Sequence, residues 1–170
     1  TTRPIAVVDD EDAVRESLRR LLESAGHEVR AYESAESLLE DEEAVDLACL
    51  LLDVSLPGLD GLELLERLVA DPAAGATPVI MISGRAEVPE AVAAMKAGAS
   101  EFLVKPLVSD DVLTAVERGL AEHRRRSVQS RQEQAARRRV ESLTRRETEV
   151  LRLIVAGRLN KQMAVELGRP

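Results

Sequence analysis

The chain has 170 residues, 45% of them hydrophobic and 32% charged, with a formal net charge of −8. That balance belongs to a soluble folded chain and excludes a disordered one, and no apolar run approaches the ~18 residues of a membrane span or resembles an export signal. A single cysteine excludes an internal disulfide, and one Tyr and one Phe with no Trp exclude stacking platforms for single-stranded nucleic acid. The charge is uneven: residues 1–116 hold 9 Lys or Arg against 24 Asp or Glu, a net of −15, whereas residues 117–143 carry +4 and residues 144–170 carry +3. An acidic body with a basic tail points to a cation or regulatory site in one part and a polyanion partner for the other.

Residues 5–8, Ile-Ala-Val-Val, form a short β-rich run that ends in Asp9-Asp10-Glu11-Asp12. A helical pattern follows, with Val14, Leu18, Leu21, Leu22 and Ala25 on one face and Arg15, Glu16, Arg19, Arg20 and Glu23 mostly opposite. Gly26 stops it, residues 27–32 read as a second strand, and Ser34 caps a second helix reaching to about residue 43. Residues 47–52 are uncharged and apolar on both faces, which predicts a strand buried on both sides, and they run straight into Asp53. Cys49 lies inside this run, which suits a reducing, cytoplasmic setting. After the Pro57-Gly58 turn a third helix spans roughly 60–70, with Leu62, Leu65, Leu68 and Val69 on one side, and residues 71–78 read as a loop. Residues 79–82 form a fourth apolar strand ending in Ser83-Gly84, residues 87–97 a helix stopped by Gly98, and residues 100–104 a fifth strand ending in Lys105-Pro106. A fifth helix begins near Ser109.

Five strands alternating with five helices predict an α/β fold with a parallel sheet and right-handed crossovers, in the flavodoxin-like order 2-1-3-4-5. That order sets strands 1 and 3 side by side, so Asp9 and Asp10 meet Asp53 at the switch point where open α/β sheets bind ligands. Three gathered carboxylates need a cation, and an all-oxygen donor set suits Mg²⁺. Asp53 is then a candidate nucleophile toward phosphorus, with the Lys105 ammonium sharing the charge on the phosphoryl oxygens and Ser83 adding a hydroxyl. Each residue also has a plainer reading. Asp53 ends a strand and can cap the loop or the next helix; residues 9–12 can complement a helix macrodipole; Ser83-Gly84 can be an ordinary turn and Lys105 an ordinary surface lysine. Their joint occurrence at four strand ends favours the functional reading.

On these residues, together with Gly61 and Phe102, residues 4–120 resemble the receiver domain of bacterial two-component response regulators. The stretch from Pro89 to Pro106 is especially similar to the FixJ-like subgroup. The resemblance implies that Asp53 accepts a phosphoryl group from a sensor histidine kinase. It implies that Asp10, Asp53 and the backbone carbonyl of Ser55 ligate Mg²⁺, with Asp9 holding a metal-bound water. Ser83 would hydrogen-bond the phosphoryl oxygen and Lys105 would pair with it. Phe102 would turn inward as Ser83 moves (otherwise it is a plain core or surface aromatic), and the Lys105–Pro106 bond would be cis. Many relatives carry Thr where this chain has Ser83, so looser switching is expected, and Ser55 and Arg85 are expected to tune phosphate lifetime.

From Val116 the helical pattern continues without Pro to about Arg139, with apolar positions at Val116, Leu120, Val128, Ala135 and Val140 that are too sparse for a heptad seam. This segment is either a linker helix that pairs with a second copy or a solvated spacer. Gly119, at about 1 kcal/mol in a helix, is where a weak joint can form. Thr144 and Glu147 then make a Thr-x-x-Glu capping box, and Val150, Leu151, Ile154 and Val155 supply an apolar face up to Gly157. Asn160 caps a second helix over residues 161–167. Residues 143–157, with Asn160-Lys161, Met163-Ala164 and Leu167-Gly168, resemble the first half of the LuxR-type helix-turn-helix domain. In that family the turn and the recognition helix that enters the major groove come next. No DNA-contacting residue is therefore assigned, and a fragment of a longer regulator is expected.

The expected organisation is a receiver over residues 1–120, a helical linker over 121–141 and a partial all-α helix-turn-helix unit over 142–170. The expected function is a cytoplasmic transcription regulator with no membrane partner. Phosphorylation would drive homodimers and, in the full-length protein, binding to promoter DNA, with no catalysis beyond its own phosphorylation and dephosphorylation. The alternative is a phosphorylation-controlled interaction module or phosphate sink without DNA output. A small-molecule phosphatase using an aspartyl intermediate is the weakest reading.

Overall fold

The computed structural model describes residues 3–42, 44, 47–71, 77–85 and 87–155. The chain divides into two compact units, Thr1–Ser127 and Val128–Pro170. In the first, β1 (Ile5–Val8), α1 (Asp12–Ser24), β2 (Val29–Tyr32), α2 (Ala35–Glu40), β3 (Cys49–Asp53), α3 (Gly61–Ala70), β4 (Val79–Ser83), α4 (Val88–Ala97) and β5 (Glu101–Val104) follow in sequence, and α5 (Ser109–Glu141) begins. The sheet is parallel throughout, as the alternation of elements predicts, and has the expected flavodoxin-like order β2-β1-β3-β4-β5.

Strand composition follows position in that order. The inner strands β1, β3 and β4 are buried along their whole length, whereas the edge strands β2 and β5 are only partly covered. Because successive side chains leave a strand on opposite faces, β3 splits its run between two cores. Leu50 and Leu52 join Ala6, Val8, Met81, Leu64, Leu65 and Ala94 on the side covered by α2, α3 and α4. Cys49 and Leu51 join Ile5, Val7, Ile80, Ile82, Leu18, Leu22, Val112 and Val116 on the side covered by α1 and α5. A nearly aromatic-free chain thus fills both layers with branched aliphatics.

Three local expectations shift. β2 begins at Val29 because Gly26, at φ +87°, turns the chain and His27 N–H donates back to Leu22 O at 3.1 Å, completing the end of α1. α2 carries the expected Ser34 cap, whose hydroxyl accepts from Ser37 N at 3.1 Å, but ends at Glu40. Gly119 is no joint: α5 passes through it unbroken. A Cβ at that position would lie 3.3 Å from Cys49 Sγ and 3.4 Å from Pro78 Cβ, so glycine lets the helix lie close against the sheet.

In the second unit, residues 128–141 of α5 lead through Ser142 and Leu143 to α6 (Arg145–Val155). The capping box is present: Glu147 N–H donates to Thr144 Oγ1 at 3.3 Å, and Thr144 N–H donates to Glu147 Oε2 at 2.8 Å. Leu143, Val150, Leu151 and Ile154 line an apolar groove on α6. Gly157, Asn160 and the helix expected over residues 161–167 lie outside the described residues. Among the described residues no helix is long and apolar enough to cross a membrane.

Candidate functional site

The acids, the serine hydroxyl and the lysine singled out in the first unit come from the carboxyl end of the sheet, whereas Phe102 lies within β5. Asp9 follows β1, Asp53 closes β3, Ser83 closes β4 and Lys105 follows β5. Backbone bonds hold these ends level: Val54 N–H donates to Ile82 O at 2.8 Å and Lys105 N–H to Ser83 O at 2.8 Å. The loop after β3 folds back tightly, since Gly61 N–H donates to Val54 O at 3.0 Å. A Cβ on Gly61 would sit 2.0 Å from the Asp53 carbonyl oxygen, so only glycine fits there. The loop is tied from outside as well, where Glu36 Oε1 accepts from Leu59 N–H at 2.9 Å beside Gly58, whose φ is +79°.

Asp9, Asp10 and Asp53 each offer a carboxylate oxygen, and the three lie within 4.8 Å of one another. Asp9 and Asp53 are buried and Asp10 is exposed. Lys105 Nζ sits among them, 2.5 Å from Asp53 Oδ2, 3.0 Å from Asp9 Oδ2 and 2.7 Å from Glu11 Oε1. The other oxygen of Asp53 accepts from Ser55 N–H at 2.7 Å, and Asp9 Oδ1 accepts from Glu11 N–H at 2.9 Å. Arg15 of α1 braces the first strand end by donating to Asp9 O at 2.7 Å. The Lys105–Pro106 peptide bond is cis.

Charge in this cluster is out of balance. Burial, with the nearby Asp53 carboxylate, pushes the Asp9 carboxyl up from 3.8 to about 6, although Lys105 and the Glu11 N–H pull the other way. Burial alone would lower the Lys105 ammonium, but hydrogen bonds to Asp53, Glu11 and Asp9 outweigh it and hold that group charged well above its ordinary value. One ammonium against four acids leaves negative charge uncompensated. Asp9 Oδ2 is fully buried and, apart from its ion pair with Lys105, has no hydrogen-bond partner. An all-carboxylate set whose fully buried Asp9 oxygen has no partner besides the shared Lys105 ammonium fits a hard divalent cation such as Mg²⁺.

The remaining residues fall around this centre. Ser83 is completely buried, and its hydroxyl donates to Glu90 Oε2 at 2.5 Å while accepting from Arg85 N–H at 3.1 Å. Phe102 is half-buried on β5, packed against the core face that contains Met81. Three participants were not legible beforehand. Glu11 was hidden in a run of acids that reads equally well as a helix start. Arg15 looked like one of several polar-face arginines. Glu90, seven residues beyond Ser83 and across a turn, carries no spacing signal at all.

With the geometry in place, comparison with known proteins is informative. Residues 5–117 match the family described as the response regulator receiver domain, and residues 141–168 match that of bacterial regulatory proteins, luxR family. The chain is similar to the transcriptional regulatory protein FixJ of Azorhizobium caulinodans, 44% identical over 168 residues, 97% of this chain and 77% of that protein. Among solved structures it is similar to the response regulator StyR, with a TM-score of 0.81 and 40% identity over 100% of this chain and 85% of that one. It is also similar to full-length FixJ from B. japonicum, with a TM-score of 0.68 and 36% identity over 100% and 83% of the two chains.

Proposed function

Because the chain belongs to the response regulators that join a receiver domain to a LuxR-family unit, we propose that Asp53 is the carboxylate through which a phosphoryl group switches it. The protein is a two-component response regulator controlling transcription, and its two parts imply a histidine kinase on one side and DNA on the other. The observation that carries the assignment to Asp53 is its place between two neighbouring carboxylates and the Lys105 ammonium, at the end of the central strand.

In the proposed step a carboxylate oxygen of Asp53 attacks phosphorus and forms a new O–P bond. The P–N bond of a kinase phosphohistidine breaks, and the imidazole leaves with that electron pair and takes up a proton. Ser55 N–H on Oδ1 orients the carboxylate. Lys105, already paired with Oδ2, is in position to follow charge onto the phosphoryl oxygens. Asp9, Asp10, Asp53 and the Ser55 carbonyl would hold Mg²⁺, which when bound supplies positive charge to those same oxygens. Ser83 and Phe102 are the proposed switch pair, and Ser55 and Arg85 are proposed to tune phosphate lifetime.

The exposed apolar side chains Val88, Val92 and Met95 of α4, Val104 of β5 and Val108 support pairing with a second copy of the chain. The proposed organisation is a receiver over residues 1–120, a linker over 121–141 and part of a DNA-binding unit from 142. The proposed setting is cytoplasmic, and the proposed chemistry is limited to the protein's own phosphorylation and dephosphorylation.

Acetyl phosphate with Mg²⁺ is expected to add one phosphoryl group to the wild type and none to Asp53→Asn, read by intact mass. Equal modification of the variant would overturn the assignment. Light scattering is expected to show the mass doubling on phosphorylation, and an unchanged mass removes the dimer from the proposal.

A further inference from the structure

Ser83 has one hydroxyl proton to give, and it goes to Glu90 of α4 at 2.5 Å. Ser83 is fully buried, and its carbonyl is fixed by the Lys105 backbone N–H, which leaves side-chain torsion as the main freedom of that hydroxyl. Taken with the reading that Asp53 carries the phosphoryl group, on which this inference rests, the geometry points to Glu90 as a positioning residue. Its carboxylate holds the Ser83 proton, and the phosphoryl oxygens at Asp53 compete with it for the same hydrogen bond.

Two consequences follow from the chemistry of the pair. A hydrogen bond to a charged acceptor is among the stronger kinds, so breaking it opposes the phosphorylated arrangement and favours the resting one. Once Ser83 turns toward Asp53, Glu90 loses its donor. Glu90 is the acid in the first turn of α4, a helix whose N-cap residue, Glu87, makes no side-chain capping bond. The exchange at one buried hydroxyl therefore reaches directly into the start of α4, the helix that displays Val88 and Val92 to solvent. Glu90 sets how much of the phosphoryl group's binding energy is spent before that helix responds.

The test uses the whole chain and beryllofluoride in Mg²⁺ buffer, which bonds a carboxylate oxygen and presents fluorines where phosphoryl oxygens would stand. Its dissociation constant is measured by calorimetry for the wild type, Glu90→Ala, Glu90→Gln, Ser83→Ala and the double variant Ser83→Ala/Glu90→Ala. Glu90→Ala is expected to bind roughly five- to tenfold more tightly than wild type. Glu90→Gln, which keeps an uncharged acceptor, is expected to fall between them. In the Ser83→Ala background the effect of Glu90→Ala should shrink to less than about twofold, because no hydroxyl remains to compete for. A Glu90→Ala chain no tighter than wild type, or equally tightened in both backgrounds, overturns the inference and leaves the role of Asp53 intact. No binding by wild type, or equal binding by Asp53→Asn, overturns the reading of Asp53 and this inference with it.

Discussion

At the carboxyl end of the sheet, Asp9, Glu11 and Asp53 gather around Lys105 with Asp10 beside the two aspartates, and Asp9 and Asp53 are only 0% and 3% exposed. Along residues 124–141 of α5 the charge is just as dense, but its seven arginines stand in solvent, and Arg126 pairs with Glu122 one turn away on the same helix. In the first region burial ties the Asp9 and Asp53 carboxylates to the Lys105 ammonium and raises the Asp9 carboxyl to about 6. In the second, water screens the same kind of charge, so it sets the sign of the surface and little else. Dense charge marks a site only where desolvation forces it to be paired.

That contrast can be broken or sharpened by mutation. The largest effect is expected from Gly61→Ala, whose new Cβ meets the Asp53 carbonyl oxygen at 2.0 Å. Urea unfolding should show a loss of about 2–4 kcal/mol, and a loss below about 1 kcal/mol would mean that the loop after β3 is not packed down as described. A smaller, pH-dependent effect belongs to Asp9. Its carboxyl is raised in the folded state from 3.8 to about 6, so the fold binds that proton more tightly than the unfolded chain does. In magnesium-free buffer the Asp9 contribution therefore favours the fold at low pH and is lost as pH rises through this window. Asp9→Asn should flatten that slope and stabilise the protein at neutral pH by on the order of 1–3 kcal/mol. Equal slopes in the two proteins would show that Asp9 is not under electrostatic strain. The smallest effect is expected from Arg126→Ala, which removes the Glu122 ion pair and should change stability by no more than about 0.5 kcal/mol. A loss above about 1 kcal/mol would erase the distinction between the two regions.

Much of this was legible in the residues themselves. The run from Leu47 to Leu52, apolar on both faces, identified a buried inner strand, and the placement of Asp53 at its end followed from where such strands stop. The order of five strands, and with it the meeting of Asp9, Asp10 and Asp53, was expected from the flavodoxin-like arrangement common to alternating α/β domains of this size. Gly119 shows the limit, because helix propensity predicts a weak point where the structure has a close contact with Cys49 and Pro78. Propensity is a property of the local chain, whereas the room for a side chain is set by whatever packs against it.

The pattern of apolar and polar residues by itself determined the layers and the end of the sheet where chemistry gathers, because both depend on short-range periodicity and on the handedness of the crossovers. Only the tertiary structure decided that Lys105 bridges Asp9, Glu11 and Asp53, that Arg15 braces Asp9, and that the Ser83 hydroxyl rests on Glu90. Those pairings are fixed by loop paths and by the angle at which helices meet the sheet. Such angles come from the packing of many side chains at once and are written in no single stretch of the chain.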